Sequence, residues 1–255
     1  MIILIWENYQ KKKIIKKENI KIYDNDESLK KWLINKDIEV AFSVGFPNRI
    51  SKEIFTIFSK GAFNIHPGKL PEYRGQHVIN WAIINGAKQT ALALHEISEK
   101  FDEGPILYQK LIHINKNETA NTLNKKMIDS LSILVKKNIN KIKINNYKKT
   151  KQLKKSSKYW SARKISDGEI LLTMSCTDAE RLVRGLVRPW PGAYIEYRQR
   201  KIFIYKVKKI KNSCFNKNQI FFDKKMYLKL SDGILMVADA EIDKKKLTAT
   251  NFRSI

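Results

Sequence analysis

Cysteine is scarce in this 255-residue chain, which holds only Cys176 and Cys214. The two form neither a CxxC pair nor a metal-ligand spacing, which excludes a disulfide framework and a cysteine-based metal site. Long apolar runs are missing as well. None approaches the roughly 18 residues that read as a membrane span. The apolar start, Met1 to Trp6, has no basic region before it and no small-residue cleavage site after it, so it reads as a strand and not as a signal peptide. The expectation is a cytoplasmic protein with free thiols and no membrane partner. Acidic side chains are half as numerous as basic ones, 25 against 50, for a net charge of +25. Such an excess suits anionic partners such as nucleic acid, nucleotides, folates or phosphates. Arginine is scarce too, with 9 Arg beside 41 Lys. A nucleic-acid surface favours the guanidinium fork, and Lys beside abundant Ile and Asn also fits an AT-rich coding bias. Both readings of the charge stay open.

What is present has a regular rhythm. Residues 2–6 and 20–23 read as short strands. Leu29, Trp32 and Leu33 form a helical stripe behind a possible acidic cap at Asp26. Residues 38–43 read as a strand, Ser51 to Phe58 as a helix ended by Gly61, and residues 62–65 as the next strand. Alternating strands and helices of this kind predict a parallel sheet with covering helices. Further on, Val78 to Asn85 reads as a helix, residues 90–97 and 106–114 as paired strands, and Asn117 or Thr119 as the start of a long helix through Val135. Residues 141–158 are Lys-rich and read as a solvated interdomain linker. Beyond Tyr159 a helix at 178–186 precedes short alternating segments at 193–197, 201–207, 219–222, 226–230 and 234–238, which predict a small β domain. The fold class is therefore α/β, with domains at 1–140 and 159–255 joined by 141–158.

Two segments carry chemistry. In Asn64-Ile65-His66-Pro67-Gly68-Lys69-Leu70-Pro71-Glu72-Tyr73-Arg74-Gly75, Asn64 and His66 stand two apart at a strand end and so share a face. The carboxyl end of a parallel strand is where α/β sheets place ligands. An amide donor can hold a developing oxyanion, and an imidazole can move a proton near neutral pH. In His95 to Leu107, Asp102 stands in a loop between strands, where a carboxylate can orient His66, although spacing alone does not bring the two together. Tyr73 and Arg74 either pack within their loop or bind an anionic acceptor. His77, His95 and His113 show no partner in the sequence, and Trp81 and Trp190 read as packing residues. No His, Cys or carboxylate cluster has metal-ligand spacing, so no metal is expected.

These two segments resemble the 10-formyltetrahydrofolate-dependent formyltransferase family, whose pattern is Asn-x-His-Pro, then Leu-Pro-x-Tyr-Arg-Gly, then an Asp just before Gly-Pro-Ile. The likeness covers roughly residues 20–240 and includes Pro189-Trp190-Pro191-Gly192-Ala193. It implies a Rossmann-like, mostly parallel catalytic domain followed by a small OB-like β-barrel. It implies Asn64, His66 and Asp102 as the catalytic trio, with protonated His66 and Asn64 on the oxyanion. Ser43, Val44, Gly45 and Phe46, with Ile97, Phe101 and the backbone of 96–102, would line the folate pocket. Tyr73, Arg74, Gly75 and Trp81 would meet the acceptor. One departure from the pattern is that the family's usual first strand and Gly-containing turn find no match before residue 20, with residues 2–6 expected still to pair as a strand. Trp81, Asn85 and Gly86 look like the sugar enzymes of the family, and the Ala-Ala-Pro-Ile-Gln stretch of methionyl-tRNA formyltransferases is absent. The implied acceptor is a nucleotide-linked amino deoxysugar of surface polysaccharide synthesis, with methionyl-tRNA as the runner-up. A third reading is a non-catalytic nucleic-acid-binding relative. A homodimer is compatible with the family.

Overall fold

The computed structural model describes residues 2–5, 20–21, 26–33, 36–46, 49–210 and 219–248. They form two compact units. The first comprises residues 1–78, 89–113 and 124–161, and the second residues 79–88, 114–123 and 162–255.

The first unit is built on a six-stranded sheet. Its strands are β1 (Ile2–Ile5), β2 (Ile20–Lys21), β3 (Ala41–Val44), β4 (Ala62–His66), β6 (Gln89–Glu96) and β7 (Ile106–His113), in the order β2-β1-β3-β4-β6-β7. Residues 2–5 thus pair as a strand, parallel to both β2 and β3. β3 and β4 are also parallel, whereas β4–β6 and β6–β7 are antiparallel, so the sheet is mixed. β3 and the ends of β4 are buried, as expected of an inner strand covered on both sides. Phe42 and Phe63, register partners on β3 and β4, are fully buried with ring centroids 5.8 Å apart.

Two helices flank β3. α1 (Asp26–Leu33) includes Asp26 instead of being capped by it, and α2 (Lys52–Phe55) is shorter than the expected span to Phe58. Leu33, Ile54 and Phe58 nevertheless pack in one cluster with Ala41 and Ala62, so the apolar face extends beyond the helical turn that carries it. α3 (Val78–Ile84) follows the Pro- and Gly-rich loop. α4 (Ala120–Lys143) runs eight residues past Val135, burying Leu123, Met127, Leu131, Leu134 and Ile142 at helical spacing. Ile133, expected on that face, is 59% exposed.

Residues 141–158, expected as a solvated linker, are mostly exposed but are anchored at particular positions. Thr150 exchanges both backbone hydrogen bonds with Ile106, at 2.9 Å each, and Gln152 is buried. β5 (Arg74–Gly75) then pairs in parallel with β8 (Tyr159–Trp160), at the head of the expected second domain.

The second unit carries α5 (Cys176–Gly185), whose start lies two residues before the expected Asp178. The Ser175 hydroxyl caps it by accepting from the Asp178 N–H. Its antiparallel sheet has the order β11 (Gln219–Asp223), β12 (Lys225–Leu230), β13 (Gly233–Ile242), β10 (Arg200–Ile210), β9 (Ala193–Tyr197), with β14 (Lys245–Lys246) beside β13. The inner residues of β9, β10, β12 and β13 form one core with Leu182, Val183 and Leu186. Cys176 is a buried free thiol, and Cys214 lies outside the described residues.

Candidate active site

β4 ends at His66, and Asn64 sits two residues earlier on the same strand. Antiparallel pairing with β6 sets His95 directly opposite Asn64, and directly opposed residues share a face of the sheet. The loop after β6 brings in Asp102. There Gly104 passes so close to the Glu96 carbonyl that a Cβ would lie 1.9 Å from its oxygen. Asp102 has φ 53°, a left-handed conformation that Asp tolerates better than most residues.

The side chains meet in a buried cluster. Asp102 Oδ2 accepts from the Gly75 N–H at 2.8 Å, and Oδ1 accepts from Asn64 Nδ2 at 3.2 Å. Asn64 Nδ2 is also 3.2 Å from His95 Nε2, which in turn lies 3.3 Å from Asp102 Oδ1. His95 Nδ1 is 2.8 Å from the Glu96 carbonyl oxygen. With its proton on Nδ1, His95 donates to that carbonyl and accepts from Asn64 through Nε2. The two amide hydrogens of Asn64 then go to His95 and Asp102, which satisfies the set.

His66 lies between two acceptors. Its Nε2 is 2.5 Å from the Tyr73 carbonyl, and its Nδ1 is 3.5 Å from Asp102 Oδ2. Gly68 leaves room for this arrangement, because a Cβ there would stand 2.6 Å from both His66 Nε2 and the Tyr73 oxygen. Burial pushes the His66 imidazole below its ordinary pKa, while the Asp102 charge acts in the opposite direction. For Asp102, burial alone would raise the pKa. The His66 charge, the contact with His95 and the Gly75 N–H outweigh it, leaving the carboxyl well below the usual carboxylate range.

Both shifts carry the same sign for stability. His66 has an ordinary pKa of 6.5 and a lowered folded value, so its contribution is present above 6.5 and is lost as pH falls through the folded value. Asp102, lowered from 3.8, adds a contribution that is lost only at still lower pH. The melting temperature is therefore expected to fall between pH 7 and pH 5, and to fall less in His66→Gln. Equal slopes in the two proteins would contradict the buried, neutral His66.

The structure brings Asn64, His66, Asp102 and Gly75 together, along with the Tyr73 backbone. His95, which has no evident partner in the sequence, belongs to the same cluster. Arg74 is buried, with Nε donating to Gln152 Oε1 at 2.9 Å and a 3.5 Å ion pair to Glu103. The Tyr73 ring stacks on Trp160 with centroids 5.7 Å apart. Ser43 is the register partner of Asn64, Val44 is buried, and Gly45 turns the chain at φ 61°. Phe46 and Ile97 are partly buried against the α1–α2 core, and Phe101 is 42% exposed. Trp81 lies in the second unit, where the Arg163 guanidinium stands 6.0 Å from its ring centroid. Gln152 was missed because its segment reads as polar and featureless.

An α/β sheet that gathers an amide, two imidazoles and an ionised carboxylate at its strand ends has the make-up of an acid–base group-transfer enzyme. The chain matches the family model described as formyl transferase over residues 7–137, and the model for the formyl transferase C-terminal domain over residues 164–254. It belongs to the formyl transferase family. Among solved structures it is similar to HypX from Aquifex aeolicus in complex with tetrahydrofolic acid. The TM-score is 0.75 at 14% identity, over 98% of this chain and 46% of that one. The chain thus spans about half the length of the HypX structures it matches. It is also similar to an N-formyltransferase from Helicobacter canadensis in complex with folinic acid and dTDP-3-aminofucose. Here the TM-score is 0.68 at 22% identity, over 94% of this chain and 98% of that one. A methionyl-tRNA formyltransferase from Clostridium thermocellum matches with a TM-score of 0.63 at 21% identity, over 94% of this chain and 97% of that one. These likenesses show a shared fold.

Proposed function

We propose that the chain transfers the formyl group of 10-formyltetrahydrofolate to the amine of a nucleotide-linked amino deoxysugar. The observation that carries the reading is the junction of Asn64 with the buried His66 and Asp102. The donor is expected to lie beside it. The strand-end segment that begins with Ser43, the register partner of Asn64, runs on to Gly45 and Phe46. The donor supplies an activated formyl carbon.

The side chains do the rest. As the amine nitrogen bonds to that carbon, the carbonyl electrons move onto oxygen. Asn64 and His66 hold this oxygen through N–H groups. In the resting site Asn64 Nδ2 contacts both His95 and Asp102, so one contact is exchanged, and the one to the ring nitrogen is weaker than the one to the carboxylate. His66 takes up the proton that the amine loses, Asp102 balances the positive charge His66 then carries, and that proton passes to the folate nitrogen as it leaves with the bonding pair.

The choice of a sugar rests on Trp81, Asn85 and Gly86 and on the missing Ala-Ala-Pro-Ile-Gln stretch. The Helicobacter canadensis relative, of similar length, was solved with an amino-sugar nucleotide. The net charge of +25 favours the second reading, methionyl-tRNA. The two separate in an assay of both acceptors at low and high salt. A nucleotide sugar presents few phosphates, so turnover is expected on a 3-amino or 4-amino deoxysugar nucleotide with modest salt dependence. Activity on methionyl-tRNA alone, falling steeply with salt, would replace the sugar reading.

A further inference from the structure

Gln152 is 8% exposed, and both N–H groups and the oxygen of its side-chain amide are engaged across the active-site loop. Its Nε2 donates to two carbonyl oxygens, Asp102 O and Gly104 O, each at 2.7 Å. Its Oε1 accepts from Arg74 Nε at 2.9 Å. Arg74 adjoins Gly75, whose N–H holds Asp102 Oδ2 at 2.8 Å. The backbone beside Gln152 is fixed in turn by the paired hydrogen bonds of Thr150 with Ile106. One side chain therefore ties three segments of the chain: the loop that presents Asp102, the loop that presents Gly75, and the segment after α4.

The tie matters because Asp102 sits in a left-handed conformation, φ 53°, which the chain does not hold without support. Two amide hydrogens directed at the carbonyls of residues 102 and 104 fix the orientation of the peptides that follow Asp102 and Gly104. That orientation sets the direction of the Asp102 carboxylate toward His66 Nδ1 and Asn64 Nδ2. The contacts of Gln152 are to backbone, so the expected role is geometric.

We infer that Gln152 is a positioning residue, which holds the Asp102 loop so that the carboxylate faces His66. The catalytic consequence rests on the formyl-transfer reading above, whereas the positioning itself does not. In Gln152→Met, which keeps most of the volume and removes all three hydrogen bonds, Asp102 loses its aim. The charged and titratable groups around this junction are Asp102, His66, His95, Arg74 and Glu103.

The test begins with ring-nitrogen NMR of His66 in the full chain without folate. As the opposite charge withdraws, the titration midpoint of His66 is expected to move down by roughly 0.5 pH or more. Turnover is expected to fall on the order of tenfold or more, as misaligned catalytic groups do, with KM for 10-formyltetrahydrofolate within about twofold of wild type. Combining Gln152→Met with Asp102→Asn is expected to add no further loss, because the first acts through the second. Should the Met variant fail to fold, Gln152→Asn retains the amide, shortens its reach by one methylene and is read in the same way. An unmoved His66 midpoint, or losses that multiply in the double variant, would overturn the inference. If the wild-type protein formylates no amine, the formyl-transfer reading falls and the His66 midpoint alone decides the positioning role.

Discussion

Asn64→Ala, His66→Ala and Asp102→Asn are each expected to lower formyl transfer by on the order of 10²-fold or more. The loss of one preorganised oxyanion donor or one acid–base group has that size. The three differ in what else they disturb. Asn64 is partly exposed, so its truncation mainly empties an oxyanion position and removes the amide that His95 and Asp102, themselves 3.3 Å apart, both contact. Asp102 accepts from Gly75 and Asn64 while buried, so Asp102→Ala would orphan those donors and cost about 1–3 kcal/mol of stability besides activity. Asp102→Asn keeps the shape and is the cleaner probe. Turnover and melting temperature measured together separate the two effects. An Asp102→Asn enzyme within a few-fold of wild-type turnover would remove that carboxylate from the mechanism.

Gly75→Ala is expected to be the most damaging small substitution in the loop. Gly75 has φ 97°, where a Cβ is strained whatever the space, and that Cβ would stand 2.1 Å from the Trp160 carbonyl oxygen. The obstacle is backbone on both sides, because β5 and β8 pair here through the Gln76 N–H and the Trp160 carbonyl. Either the pairing parts or Gly75 moves, and its N–H then leaves Asp102. Overpacking against a fixed backbone costs typically 1–3 kcal/mol and more when strain is added, so a loss of about 3 kcal/mol is expected. A urea midpoint unchanged from wild type would contradict the tight approach.

The strands of the second unit were legible from alternation and turn residues. The segments expected at 193–197, 219–222 and 226–230 are strands there within a residue, and in the last of them burial alternates along the strand as the pattern implies. Where the reading missed, the deciding contact was either local and specific or distant. The Ser175 cap moved the start of α5, and the extension of α4 to Lys143 depended on buried Asn138 and Ile142 within a Lys-rich run. His95 could not be assigned because its role depends on the register of β6 against β4, which period-2 alternation leaves undetermined. Gln152 lies 50 residues from Asp102 in sequence, in a stretch whose lysines suggest only solvation. The trio itself was found by resemblance to a motif. Its convergence came from the sheet, which sets Asn64 and His66 on one strand end, and from the close passage of Gly104 over Glu96, which delivers Asp102.

The most direct test follows the formyl carbon itself. Labelled 10-formyltetrahydrofolate is incubated with the protein and a panel of nucleotide-linked amino deoxysugars. Label in the product amine and tetrahydrofolate release are then counted together. The account predicts one tetrahydrofolate released per amine formylated, with the label in an amide bond to the sugar. Folate binding without transfer of label to any amine, on sugars or on methionyl-tRNA, would contradict it.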